Sequence, residues 1–502
     1  MNIANADDVG SIIARAREAQ KGWGALPYRK RAVCLKKAAR YLGDHVDEIV
    51  ETIHRENGKL RIDALAAEIL PALMAIGYYL KEGKKFCAPG KIHGGNILMF
   101  NKRSRMVHEA WGVVGIISPW NYPFAIPFSE VVMALLAGNA VLLKTASVTQ
   151  GVGRCLAEVF EAAGLPPSVF NYLELKGSEA GKAFIGSPES PGVDKLFFTG
   201  STATGRELMA LSSRRLLPLV LELGGADAAI IRADADLDRA AGGILWAGFS
   251  NAGQSCGGAQ RILVHCAVYD AFLRKICALV ESLRPGETED SDLGPMATVK
   301  QKETAEKQIA ACVAMGARIA ARSPVPADAE KYSPAVILSE VTADMPVMNE
   351  EIFGPVIAVM PVEDDEEALR IANSSAYGLS ASVWSRNRRE GRRIAERINA
   401  GAVMVNDHLM SHGLAETPWG GFGYSGLGRT HGAPGFAEML KAKVIIDDCL
   451  PGVKKDIFWH PYSASVYRGF RSLTAFVAGP GLGIRLKNLP PLLKVFFRYW
   501  EK

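Results

Sequence analysis

Short apolar runs alternate with helix-length stretches through most of this chain, and that alternation narrows its possible folds more than any other feature. Residues 113–118, 140–144 and 195–198 are each dominated by Val, Leu, Ile, Ala or Phe, and a helix-length stretch follows each of them. A strand without polar alternation is buried on both faces, as parallel strands are when crossover helices cover them. The expected architecture is a doubly wound α/β domain. A second alternating region starts near Ala228 and runs to about Val405, with strand candidates at 228–231, 262–265, 335–338 and 356–359. Two such regions imply a cleft between them where a ligand would sit.

The segments outside the two regions read differently. Residues 9–82 carry helical periodicity, with Ala32, Leu35, Ala38, Ala39 and Leu42 on one face. Residues 99–111 mix polar and apolar positions and suggest a hairpin away from the main core, and 440–447 is a strand candidate without an assignable neighbour. A length of 502 residues is too great for one ordinary core. With 48% apolar and 22% charged residues the chain is globular rather than disordered.

The net charge of +5 does not suggest a nucleic-acid partner. Its distribution is uneven. Residues 451–502 hold nine Lys/Arg against Asp456 and Glu501, a net of +7, which leaves about −2 for the rest of the chain. Eight cysteines are scattered singly without a C-x-x-C pair, so neither a metal cluster nor a disulfide framework is indicated. Residues 1–10 are polar and acidic, the reverse of a secretory signal, and no apolar run is long enough to span a bilayer. The expectation is a cytoplasmic protein.

Four short motifs carry chemistry. In Asn251-Ala252-Gly253-Gln254-Ser255-Cys256-Gly257-Gly258 a cysteine sits among glycines, where substrate and cofactor can approach closely. A lone cysteine is by default a core residue, and the other seven are read so. Leu221-Glu222-Leu223-Gly224-Gly225 places a carboxylate at an apolar strand end, where burial would raise its pKa and make it a general base; a salt-bridged strand terminus is the equal alternative. Ser118-Pro119-Trp120-Asn121-Tyr122-Pro123 fixes its backbone with two prolines and could aim the Asn121 amide as a donor, although an ordinary Asn turn has the same composition. Phe198-Thr199-Gly200-Ser201-Thr202-Ala203-Thr204-Gly205 follows a strand and opens a helix, so its backbone can approach a pyrophosphate. Its spacing is neither the dinucleotide G-x-G-x-x-G nor a P-loop.

Taken together, Cys256, Glu222, Asn121 and the Gly200/Gly205 turn resemble the aldehyde dehydrogenase superfamily in its non-acylating branch. The resemblance spans roughly residues 14–448. It extends to Glu56-Asn57-Gly58-Lys59, Lys144, Gly177-Ser178-Glu179-Ala180-Gly181, Glu350-Glu351-Ile352-Phe353-Gly354-Pro355, Pro418-Trp419-Gly420-Gly421 and Ser425-Gly426-Leu427-Gly428-Arg429.

The resemblance implies two doubly wound α/β domains with a small β oligomerisation arm. The expected division is 1–98 with 112–224 for cofactor binding, 225–405 for catalysis, and 99–111 with 436–450 for the arm. Residues 406–435 would return along the active site, and 451–502 would be a basic, aromatic extension. The implied reaction is NAD(P)-dependent oxidation of an aldehyde to a carboxylic acid. Cys256 would be the nucleophile, Asn121 the oxyanion donor and Glu222 the base that hydrolyses the thioester. Lys144 would bind the adenine ribose, Ser201 the pyrophosphate and Glu351 the nicotinamide ribose. Phe353 would lie near the nicotinamide ring, with Trp120 and Leu223 also lining the cofactor side. The expected partners are a small aldehyde and further copies of the chain, in a homodimer or homotetramer.

Four positions depart from common members of the family: Ala226 and Gly423 stand where Lys is frequent, with no physical account of either, and two others bear on cofactor and substrate. Ser147 stands three residues after Lys144, where NAD-specific members often carry Glu, so a 2′-phosphate meets no repulsion and NADP is expected to be tolerated beside NAD. Ser129 stands where related enzymes carry Trp or Arg, which suggests a roomy, uncharged tunnel for an apolar aldehyde rather than succinate semialdehyde. A CoA-acylating enzyme on the same fold is the main alternative, and Glu222 argues against it. A silent binding protein and a Cys–His hydrolase are weaker alternatives. The 451–502 extension is either docked on protein or is a basic amphipathic surface, centred on 489–499, in peripheral contact with anionic lipid.

Overall fold

The computed structural model describes residues 9–94, 99–187, 192–327, 330–450 and 452–500; of the features read from sequence, the acidic start, Pro451, the last two residues and the side chains of Leu492, Tyr499 and Trp500 lie outside it. The chain divides into two compact units, one holding residues up to Ala88 with 109–441, the other 89–108 with everything after Lys441.

The first unit contains both expected sheets. One has six strands in the order Gly426–Leu427, Leu219–Glu222, Lys195–Thr199, Val113–Ile117, Ala140–Lys144, Phe170–Tyr172. All neighbours are parallel except the first pair, in which Gly426 lies opposite Glu222. The chain starts at Val113–Ile117, builds outward on one side, then returns to build on the other. The switch point therefore lies between Val113–Ile117 and Lys195–Thr199, where ligands gather in such sheets.

The other sheet has seven strands in the order Arg318–Arg322, Val336–Ser339, Val356–Val362, Ala259–His265, Asp227–Ile231, Ser380–Trp384, Ala402–Val405, and only the first of these is antiparallel.

Helix Ala125–Ala137 is buried at every position, so its apolar composition is all-round rather than striped. Phe124 stacks on Phe128 and Phe128 on Phe160, with centroids 5.5 and 5.6 Å apart. One apolar helix, Arg61–Phe86, does reach bilayer-spanning length, contrary to the sequence reading. Its inward positions Ala72, Ala75, Ile76 and Tyr79 are buried in the core of this unit.

The second unit contains a three-stranded sheet in the order Gly90–Ile92, Lys102–Ala110, Leu440–Asp448. The strands of this sheet differ from the expected arm boundaries at two places. Gly90–Ile92 pairs antiparallel with Lys102–Ala110, although the sequence suggests the cofactor region for it; its three exposed residues carry no apolar alternation to betray it. At the other end, Phe436 belongs to helix Gly432–Glu438 and is buried in the core of the first unit, so the strand begins only at Leu440. The extension folds into helices Ala464–Ala478 and Leu482–Phe496. Lys102 Nζ anchors its start, 2.7 Å from Asp448 and 2.6 Å from Asp456.

Candidate active site

The loop after Val113–Ile117 is held from below by a buried ion pair. Lys59 and Glu68 are fully buried, 2.6 Å apart. Lys59 Nζ also donates to the Asn121 carbonyl at 2.8 Å and lies 4.0 Å over the Tyr122 ring. Glu68 accepts from the amides of Phe124 (2.7 Å) and Ala125 (3.2 Å), at the positive end of helix Ala125–Ala137. Asn57 donates to the Trp120 carbonyl. The Asn57-Gly58-Lys59 motif thus sets the position of Trp120 and Asn121. Glu68 was not singled out from sequence, because only the fold brings it beneath this loop.

The Asn121 side-chain amide donates to the Gln254 carbonyl at 3.1 Å, tying the loop to the cysteine segment. That amide has a second N–H to offer a ligand. Asn251, Ala252 and Gly253 all have positive φ (53°, 53° and 70°), and Asn251 Nδ2 donates to the Asn121 carbonyl at 3.0 Å. A Cβ on Gly253 would fall 2.2 Å from the Gly354 carbonyl oxygen, so only glycine fits. Gln254 is fully buried and accepts from the Ala297 amide at 2.9 Å. Backbone strain of this kind persists only where surrounding bonds enforce it. Here it delivers Cys256, partly exposed, to the cleft. Burial, with Glu351, Asp227 and Glu222 nearby, pushes the Cys256 thiol up.

Glu222 closes the strand Leu219–Glu222, and its carbonyl accepts from the Gly200 amide at 3.0 Å. Its side chain is buried and neither carboxylate oxygen has a hydrogen-bond partner among the described residues. Burial first, then the nearby Glu130 carboxyl, raises its pKa well above the ordinary value. Of the two readings open at the sequence level, the unpaired carboxylate is the one observed.

Two cavities meet at these residues. One, of about 220 Å³, is lined by Trp120, Asn121, Gly200, Ser201, Leu223, Glu351 and Phe353 as well as Cys256 and Glu222. The other is lined by Ser129, Glu130, Met133, Trp419, His412 and His431, again with Cys256 and Glu222, and measures only about 10 Å³. That is room for about one water. The tunnel expected at Ser129 is therefore neither roomy nor free of ionisable groups. Trp419 and Met133 line the same small cavity as Ser129. Burial lifts Glu130 to about 8 and depresses His412 to about 4, while His431 is lowered to about 3. All three are chiefly neutral at pH 7. None was singled out from sequence.

The first cavity gathers most, but not all, of the residues expected from sequence to bind the cofactor. Gly200 and Ser201 sit at the switch point, and Ser201 caps helix Thr202–Ser212 by accepting from the Thr204 amide at 3.3 Å. Gly205 lets that helix approach Leu223, whose Cδ2 would lie 2.6 Å from a Cβ placed there. Lys144 ends its strand buried, its ammonium disfavoured by burial and without an ion-pair partner among the described residues. Ser147, exposed, opens the turn Ser147–Thr149 three residues on. Lys144 and Ser147 stand at the neighbouring strand end and do not line the cavity itself. Glu351 accepts from the Gly225 amide at 3.1 Å, and burial lifts it to about 7. Phe353 meets Trp120 edge to face, centroids 5.4 Å apart. Gln301, also missed from sequence, fixes the Phe353 carbonyl at 2.9 Å.

Comparison with known proteins agrees with this geometry. The aldehyde dehydrogenase family pattern matches residues 1–445. The chain is 34% identical over 467 residues to a 4,4'-diapolycopene aldehyde oxidase of Methylomonas sp, covering 93% of this chain and 86% of that protein. It is 36% identical over 447 residues to a putative NADP(+) succinate-semialdehyde dehydrogenase of Mycolicibacterium smegmatis, covering 88% and 85%. The crystal structure of an NAD-dependent aldehyde dehydrogenase from Sinorhizobium meliloti superposes with a TM-score of 0.85 at 32% identity, covering 91% and 89%. The chain belongs to the aldehyde dehydrogenase family, enzymes that oxidise aldehydes to acids with NAD or NADP.

Proposed function

We propose that this enzyme oxidises a neutral, apolar aldehyde through a covalent thioester on Cys256, which Glu222 then hydrolyses. The observation that carries this reading is that Cys256 and Glu222 line both cavities, so one nucleophile and one base face both ligands. The Cys256 thiol passes its proton to water and its thiolate sulfur attacks the aldehyde carbon. The free N–H of the Asn121 side chain and the Cys256 backbone amide hold the resulting oxyanion; losing one such donor costs about 3 kcal/mol. When bound, the nicotinamide supplies the acceptor for the hydride. Glu222 takes a proton from water as that water attacks the thioester, and its unpaired oxygens are free to do so. A base at this position favours water over CoA as the acyl acceptor.

The names of the relatives point to different substrates, a diapolycopene aldehyde and succinate semialdehyde. The lining of this chain argues against the second class. Among the described residues around the narrow cavity none is Lys or Arg, and the two histidines are neutral. A carboxylate-bearing aldehyde finds no counter-charge there. Cys256→Ala tests the core of the reading: turnover is expected to fall to background while nucleotide binding, followed by fluorescence quenching, persists. Near-normal turnover in that variant would falsify the assignment. A panel of aldehydes against both nucleotides tests the substrate class, and a preference for succinate semialdehyde would reject it.

A further inference from the structure

The second unit ends in a helical hairpin that the active-site chemistry does not use. Helix Ala464–Ala478 turns at residues 479–481 into Leu482–Phe496. Val466, Gly469, Leu473 and Val495 are buried, and Gly479 packs closely under Ile484. The outer surface is apolar where the chain turns. Val477 is 58% exposed, Leu482 78% and Leu486 65%, an unusual amount of bare hydrocarbon at a hairpin tip. Trp459, Tyr462 and Tyr467 are exposed nearer the base.

Charge on this hairpin has one sign. Residues 464–496 contain five Lys/Arg and no Asp or Glu. Arg485 and Lys487 stand among the exposed tip residues. Arg468 and Lys494 line a cavity of about 480 Å³ whose other walls include Val466, Pro490 and Phe497. Neither cation makes an ion pair with a described residue. Two cations that line a largely apolar cavity without an ion-pair partner among the described residues suit an anionic headgroup with its hydrocarbon tail.

We infer that this hairpin docks the enzyme on an anionic bilayer. The tip, residues 477–486, enters the boundary between headgroups and acyl chains, and Arg468 and Lys494 take a lipid phosphate. Each helix has 15 residues, about 22 Å, which is short of the hydrocarbon thickness of about 30 Å, so the hairpin enters without crossing. A second copy of the chain is the poorer occupant, because it would bring like charges together. Sequence periodicity alone centres the contact on residues 489–499; exposure moves it to the turn.

Sedimentation of the full chain with mixed phosphatidylserine–phosphatidylcholine vesicles tests this. Binding is expected, with about a tenfold loss at high salt and little binding to phosphatidylcholine alone. The double variant Val477→Glu, Leu482→Glu is expected to bind anionic vesicles at least about tenfold more weakly while oxidising a soluble aldehyde at the parental rate. Arg468→Glu with Lys494→Glu is expected to abolish the preference for phosphatidylserine. The inference fails if the full chain does not sediment, if the tip variant binds like the parent, or if binding ignores lipid charge. It also fails if the tip variant changes the oligomeric mass by light scattering and neither protein binds vesicles, which assigns the face to a second copy.

Discussion

Glu222 joins a raised pKa to a carboxylate without a hydrogen-bond partner among the described residues, and the two together set how the enzyme responds to pH. As a base it works only when ionised, so deacylation is expected to rise with pH through its elevated pKa. Folding stability runs the other way. A carboxyl whose pKa is raised in the folded state binds more protons there than in the unfolded chain. Its contribution is fully present below the ordinary carboxylate range and is lost as pH climbs toward the folded value. Glu222→Gln removes both trends. A pre-steady-state burst of reduced nucleotide followed by very slow turnover is expected, with a flatter dependence of unfolding midpoint on pH. Loss of burst and turnover together would mean that Glu222 activates the thiol instead. Taken singly, Asn121 and Glu222 had ordinary alternatives, and it was the resemblance of their motifs to the aldehyde dehydrogenase family that joined them to Cys256 as a set. Glu130, His412 and His431 were invisible. Each lies in an ordinary-looking segment, and only folding brings it to the narrow cavity.

Among the elements, the 57–68 stretch and the loop it supports form one mechanical piece. Lys59→Met leaves Glu68 buried without its partner, a change that typically costs about 3–5 kcal/mol. Urea unfolding is expected to show a loss of that order, and kcat is expected to fall because the Asn121 carbonyl loses its Lys59 donor. An unaltered midpoint would show that water reaches Glu68. The strand end at Lys144 makes a separate prediction. Ser147→Glu is expected to reduce kcat/KM for NADP at least about tenfold more than for NAD, since a carboxylate would face the 2′-phosphate; an unchanged ratio places Ser147 away from the ribose. Central strands such as Val113–Ile117 and Ala140–Lys144 could be read directly, since burial on both faces demands unbroken apolar runs. Phe170–Tyr172 and Gly90–Ile92 could not. They are three residues long, and edge position relaxes the demand.

At the scale of the whole molecule, the exposed edge of the second unit's sheet bears on assembly. We propose that the three-stranded sheet joins copies of the chain into a homodimer or homotetramer. Leu440–Asp448 is an edge strand, with Val444 51% and Ile446 63% exposed, a surface suited to pairing. Val444→Asp with Ile446→Asp is expected to lower the mass measured by light scattering, whereas an unchanged mass would locate the interface elsewhere. The meeting of two cavities at Cys256 and Glu222 has a further consequence, for inhibition. A small molecule that plugs the Trp419 side leaves the Phe353 side open, so added nucleotide cannot relieve the block. Such a compound would be competitive against aldehyde alone, and selectivity among related enzymes could be sought at Ser129 and Met133 without touching the shared nucleotide chemistry.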